Sequence, residues 1–220
     1  MTEQIKQQKT KIHTVYKTQE GLRVPSVTTI LGILDKPALL YWAWQCGCDG
    51  IDYRKVRDTA ADIGTLAHYL ILCDIKGKET DVSEYSQQDI DKAETCLLKY
   101  WEWRKGHDFK PILAEMPLVS ERYQFGGTID CLAELDGALV LIDHKTGKGI
   151  YEEMFYQLAG YQQLLLENGH AIQSARILRI GRDENEGFEE QQVVNLDRHW
   201  ELFLHCLAIY NLRKEIKKGV

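Results

Sequence analysis

A chain of 220 residues is long enough to bury a substantial core. With 44% apolar and 27% charged residues it is neither a disordered nor a collagen-like polymer, and no run nears the roughly eighteen apolar residues of a membrane span. A net charge of −6 argues against a protein that passively coats nucleic acid, but leaves room for an enzyme that gathers carboxylates around a metal and keeps its cations local.

Residues 1–20 are polar and are expected to fray, or at most to form a short edge strand around His13–Tyr16. They hold no apolar stretch for secretion, and Glu3 argues against an organelle leader, so a cytoplasmic location is expected. Cysteines 46, 48, 73, 96, 131 and 206 show no paired framework and fit small buried thiols in a reducing compartment. Ser26 can cap a helix with Val27, Ile30, Leu31 and Leu34 at helical spacing. A second helix should open at Pro37 and end at Gly47 and Gly50. Helical patterns follow over 54–75, closed by Lys76-Gly77, and from Ser86, with Asp89 three residues on, to Gly106 and Pro111.

From residue 112 the apolar period changes to two. ILAEMPLVSE, QFGGTIDCLAEL and ALVLIDHKT read as successive strands, the last pair joined by Asp136-Gly137, the strongest short hairpin signal. Residues 151–168 return to helix, closed by Asn168-Gly169. Strands near 174–181 and 188–195 flank the turn DENEG, and Asp197 can cap a final helix to about 217. The expectation is a single α/β domain over 1–220: a helical part at about 26–105, a sheet core at about 112–195 and a closing helix at about 197–217.

A two-residue loop at Asp136-Gly137 sets Leu132 opposite Leu141 and Asp130 opposite Asp143, with Lys145 two positions on along the Asp143 face. Carboxylates facing each other about 5 Å apart repel. A divalent cation between them would remove the repulsion, since hard cations take carboxylate oxygens. A solvated sheet end is the simpler reading for Asp130 alone and the weaker one for the Asp–Asp–Lys group.

GGTIDCLAELDGALVLIDHKTGK resembles the core of the PD-(D/E)XK nuclease superfamily: an Asp, a hairpin, then D-x-K, here Asp143-His144-Lys145. The form of the GTID-C and I-D-x-K-T strands is most similar to the RecB-like branch, in particular to the mitochondrial genome maintenance exonuclease and its phage relatives. The resemblance spans roughly residues 24–165. Gly64-Thr65-Leu66-Ala67-His68 is similar to the branch's G-x-x-x-H helix, Glu115 to the acidic residue of its first strand, and Gln157 to Tyr161 to its Q-x-x-x-Y helix. PSVTTIL at 25–31 resembles the N-terminal segment of these relatives.

The resemblance implies a central mixed sheet flanked by helices, and a Mg²⁺- or Mn²⁺-dependent DNA exonuclease acting on free ends, preferring single strands. It implies Glu115, Asp130, Asp143 and Lys145 as catalytic residues. The metal would be held by His68, Asp130, Asp143 and the His144 backbone carbonyl, with Gln157 and Tyr161 at the substrate. A structure- or site-specific endonuclease, or a non-catalytic DNA-binding protein, are the alternatives, and a monomer is expected. A neutral imidazole at His68 would favour manganese. Glu121 is a rival, but Glu115 is favoured because it lies within the apolar strand ILAEMPL, where an unpaired charge is costly. The His144 side chain should point away from Asp143. The iron–sulfur cluster of some relatives is not expected, since Cys206 stands alone near the C-terminus. Possible phosphate-binding cations are Arg54, Lys55 and Arg57; Lys145 and Lys148; and Arg176, Arg179 and Arg182. Tyr41, Trp42 and Trp44 could stack on bases, but at helical spacing they read as core.

Overall fold

A computed structural model describes residues 14–219; the polar segment before Thr14, including His13 of the expected edge strand, lies outside the described residues. Tyr16–Lys17 (β1) pairs antiparallel with Arg23–Val24 (β2). The helices Val27–Leu31 (α1), Pro37–Cys48 (α2), Tyr53–Lys76 (α3) and Gln87–Lys105 (α4) follow. Then come Phe109–Ser120 (β3), Phe125–Leu135 (β4), Ala138–Lys145 (β5), Glu152–Glu167 (α5), Ser174–Ile180 (β6), Phe188–Val193 (β7) and Asp197–Lys218 (α6).

Local chemistry explains most helix starts. Ser26 accepts the backbone N–H of Thr29, and Ser86 accepts that of Asp89 while donating its own hydroxyl to the Asp89 carboxylate. Pro37 opens α2, where its missing N–H costs nothing. Gly77 closes α3 in the left-handed conformation. The expected Asp197 cap is displaced by one residue: Leu196 is the cap, and Asp197 is the first helical residue, its N–H held by Asn195.

Strands β3 to β7 form one mixed sheet in that spatial order, antiparallel except for the β5–β6 pair, which α5 connects. Parallel pairing buries β5 on both faces, as its unbroken ALVLI run requires. The first strand begins earlier than expected, at Phe109, and runs through Pro111 and Pro117. Both prolines are tolerated because β3 is an edge strand.

Helices cover both faces. Ile30, Leu158, Leu165 and Phe203 of α1, α5 and α6 pack on Leu132 and Leu141. On the other face Leu66, Ala93 and Tyr100 of α3 and α4 pack on Cys131, Ile142 and Leu178. Five of the six cysteines are buried, and Cys48 is exposed. The core reading of the α2 aromatics fails for two of three: Tyr41 is 64% and Trp44 60% exposed, while Trp42 packs edge-on against Tyr53. Of the α2 residues only Cys46 is buried, so the helix rests on the body by one narrow face. Among the described residues no helix is long and apolar enough to cross a membrane.

Candidate active site

The Asp136-Gly137 turn carries φ values of 53° and 81°, both positive as a type I′ hairpin demands. It enforces the expected register, Leu135↔Ala138, Leu132↔Leu141 and Cys131↔Ile142, but the pairing stops there, one step short of the expected Asp130–Asp143 pair. At that step the regular pleat ends. In β3, Glu115 adopts a left-handed φ of 50°, between the pairs Ala114↔Cys131 and Met116↔Ile129. On β4, Ile129 and Leu132, three residues apart, both pack on the α5 side, while Cys131 packs on the α3 side. Strict alternation is therefore broken beside Asp130, and its carboxylate reaches His68 of α3 instead of sharing one face with Leu132 and Leu141, as alternation alone suggested.

Asp130 Oδ2 accepts the His144 backbone N–H at 2.8 Å and lies 3.6 Å from His68 Nδ1 and 3.8 Å from His144 Nδ1. The His144 ring does turn to the opposite sheet face from Asp143, and there it stands edge-on to both His68 and Tyr100. That face is the one covered by α3, so the ring meets the other two groups instead of leaving the site. Local strand periodicity carries no signal of this; only the packing of α3 on the same face reveals it.

Asp143 is 1% exposed. Lys145 Nζ lies 2.5 Å from its Oδ2, a buried charge pair. On α5, Gln157 donates to the Tyr161 hydroxyl at 2.8 Å. Tyr161 lies near enough to Asp143 and Asp130 for both charges to act on it. Glu115 is half-buried and close enough to His68 to favour its charged form. Glu121 instead accepts the backbone N–H of Gln19, away from this group.

Two glycines allow the close approach of these elements. A Cβ on Gly64 would stand 2.7 Å from the Thr146 hydroxyl, so glycine lets α3 run against the end of β5 one turn before His68. A Cβ on Gly127 would stand 2.7 Å from the Tyr161 ring, which lies directly over β4.

The electrostatics separate the two carboxylates. For Asp130, burial works against ionisation, but His68, His144 and Lys145 outweigh it and its pKa is lowered. For Asp143, burial dominates Lys145, Asp130 adds repulsion, and the pKa is pushed up to about 6. Burial opposes the charged form of His68, yet Asp130 raises it on balance. Burial holds His144 down to about 4, a neutral imidazole. Lys145, though buried, is held in its charged form by Asp143 and Asp130.

Could these donors hold a cation? One ligand atom each from His68, Asp130 and His144 lie within 4.8 Å of one another, near the roughly 4 Å spanned by opposite ligands of an ion about 2.1 Å away. The mixed nitrogen and oxygen set suits a divalent ion; Asp143, expected among the ligands, is not one of these three and its Oδ2 faces Lys145 instead.

The cation groups expected at phosphates fare unevenly. Arg176 pairs with Glu190, Arg179 with Glu189 at 3.1 Å, and Arg182 with Glu186 at 2.8 Å, while Arg57 is bound to its neighbour Asp58. Cross-strand pairing with β7 thus consumes most of the arginine row.

A family model for the PD-(D/E)XK nuclease superfamily matches residues 50–217. No curated protein matches the sequence. Among solved structures, a protein of Eubacterium rectale named as a candidate exonuclease is 12% identical over 71% of this chain and 68% of its own, with a TM-score of 0.48. LHK-Exo, solved in complex with dAMP, is 12% identical over 70% of this chain and 85% of its own, with a TM-score of 0.35.

Proposed function

This chain belongs to the PD-(D/E)XK nuclease superfamily, and we propose that it is a Mg²⁺- or Mn²⁺-dependent deoxyribonuclease of the RecB-like kind, working as an exonuclease on free DNA ends with preference for single strands. One observation carries the catalytic reading. Charged side chains from β4 and β5 converge on one buried place, joined there by His68 of α3 and by Gln157 and Tyr161 of α5, although buried charge is costly without a function or a bound ion. Action on ends and on single strands is supported by the resemblance of the GTIDC and IDHKT segments to exonucleases.

In this reading His68 and Asp130 hold the ion, with Asp143 and either the carbonyl or the ring of His144 completing the set. Such an ion supplies a water of lowered pKa and neutralises charge developing on the phosphate. Lys145, fixed in its charged form by Asp143, orients the attacking water and adds a permanent positive charge beside the phosphate. Gln157 holds the Tyr161 hydroxyl, and together they position the phosphate or its nucleotide over β4. Glu115, beside His68, orients a second ion or a water. The products are a 5′-phosphate and a 3′-hydroxyl.

The test compares end-labelled single- and double-stranded oligonucleotides with covalently closed circles, in Mg²⁺, Mn²⁺ or chelator. Shortening of linear strands with circles left intact is expected, and only with metal. Linearised circles would replace the exonuclease reading by the endonuclease one. Absence of all cleavage by purified protein would end both.

A further inference from the structure

A row of cations, unpaired among the described residues, lies outside the site just described. Two adjoining cavities, of about 430 and about 410 Å³, share Thr29, Tyr210 and Lys214 and form one groove bounded by the β1–β2 hairpin, α1 and the last turns of α6. Its walls carry Arg23, Arg213, Lys214, Lys217 and Lys218, and no carboxylate of the described residues lines it. Among the described residues none of these five forms an ion pair, in contrast to Arg176, Arg179 and Arg182.

The placement is not that of an ordinary solvated helix end. Tyr210, Arg213, Lys214, Lys217 and Lys218 follow at spacings of three, four, seven and eight, which is one face of α6, and that face looks into the groove. Lysines in the last turn also complement the helix dipole, which accounts for Lys217 and Lys218. It accounts neither for Arg213 and Lys214 a turn earlier nor for Arg23 on another element. Five cations on one groove, without ion-pair partners among the described residues, in a chain with net charge −6 are the footprint of a polyanion.

The groove also leads to the catalytic cluster. Tyr16 lines it, and its hydroxyl bonds Thr128 at 2.8 Å, two residues before Asp130 in β4. We propose that this groove is the track for the phosphodiester backbone of the DNA substrate. Arg23 forms one wall and the α6 cations the other, and the strand is delivered past Tyr16 to the site. The proposal rests on the nuclease reading given above and adds to it a binding surface some distance from the bond cleaved.

The test measures binding of a fluorescent 20-nucleotide single strand and a matching duplex to the full chain in chelator, so that no cleavage intervenes. One variant combines Arg213→Gln, Lys214→Gln, Lys217→Gln and Lys218→Gln, all exposed positions where glutamine keeps helix propensity. A charge-matched control replaces Lys76, Lys92, Lys105 and Arg198 by Gln. The groove variant should bind the single strand at least tenfold more weakly at 0.1 M salt, and the slope of log affinity against log salt should shrink by about 3, at about 0.7 per phosphate contact. The control should change far less. Arg23→Gln, on the opposite wall, should weaken binding in the same direction, independently of how α6 tolerates its changes. Equal affinity loss in groove variant and control, or loss in neither, overturns the proposal. Cleavage by the unaltered chain is assayed alongside with Mn²⁺. Its absence would sink the nuclease reading while the binding comparison still decides the groove.

Discussion

The two ends of the β4–β5 hairpin obey different rules. At the turn end, Asp136 and Gly137 take the φ values their residue types favour, and Leu132 and Leu141 pair across the strands in an apolar core. At the open end, Glu115 is held in a conformation that L-residues avoid, alternation breaks beside Asp130, and Asp143 is buried as a charge pair with Lys145. The first end is built for stability. The second carries strain and buried charge, a pattern concentrated at functional sites. The contrast is open to direct attack, because each end should respond to substitution in only one of two measurements.

The largest effect belongs to chemistry. Asp143→Asn should reduce cleavage by at least about a hundredfold, as loss of a group acting on the transition state does. The metal-free variant should still fold, since a neutral side chain suits that buried position better than a carboxylate whose pKa burial has already raised. Leu141→Ala should do the reverse. It removes a fully buried side chain at a cost of about 2–5 kcal/mol, visible as a lowered unfolding midpoint, while the surviving folded fraction still cuts DNA at low temperature. If Asp143→Asn unfolds the protein, or Leu141→Ala abolishes cleavage in folded protein, the division between the two ends is lost.

Metal should act at the open end alone. Mn²⁺ at a hundred times its dissociation constant should stabilise the fold by about 2.7 kcal/mol. His68→Ala should erase most of that gain in a thermal melt with and without the ion. Equal Mn²⁺ stabilisation in this variant would remove His68 from the ligand set. His144→Ala in the same assay separates ring from carbonyl, because only a ring ligand is lost on substitution.

Protons compete with that ion, and the signs can be worked out. Asp143 and His68 both have folded pKa values above their unfolded ones, so each contributes stability at low pH that is lost as pH rises through the folded value. The metal-free protein should therefore lose the Asp143 share of stability as pH rises from about 4 through about 6, and the His68 share as pH rises above 6.5. Asp130, whose pKa is lowered, works oppositely, but only as acid approaches its own low range. Metal needs Asp143 ionised and His68 neutral, so Mn²⁺ stabilisation and cleavage should both rise over the same interval. Melting curves at pH 6 and 8, with and without Mn²⁺, should cross in this way. Parallel pH profiles would mean that these two groups do not titrate in the site.

Where sequence reasoning reached the structure, a local rule acted alone. The Asp-Gly turn determines the hairpin register, Ser86 with Asp89 and Pro37 determine helix starts, and the apolar run of β5 requires cover on both faces. It stopped where two distant segments decide together. Arg176 and Arg179 look available in sequence, and only the pairing of β6 with β7 brings Glu190 and Glu189 against them. The groove cations come from residues 23 and 213–218, joined by the packing of α1 on α6, so no window of sequence displays them as a group. His144 reaches Asp130 through a break in alternation that depends on the backbone of a third strand.

That break supports the smallest and cleanest test. In a regular strand, glycine is less stable than alanine because it has more backbone freedom to lose and no side chain to pack. At position 115, with φ at 50°, alanine must keep a conformation that costs an L-residue roughly 1–2 kcal/mol, and glycine need not. Glu115→Gly and Glu115→Ala both discard the carboxylate and its interactions, so their difference isolates the backbone. Glycine should be the more stable by about 1 kcal/mol in urea unfolding, the opposite of the order expected at Leu113 or Leu118 on the same strand. If alanine is equal or better, β3 passes Asp130 without strain, and the open end of the hairpin owes its irregularity to the buried charges alone.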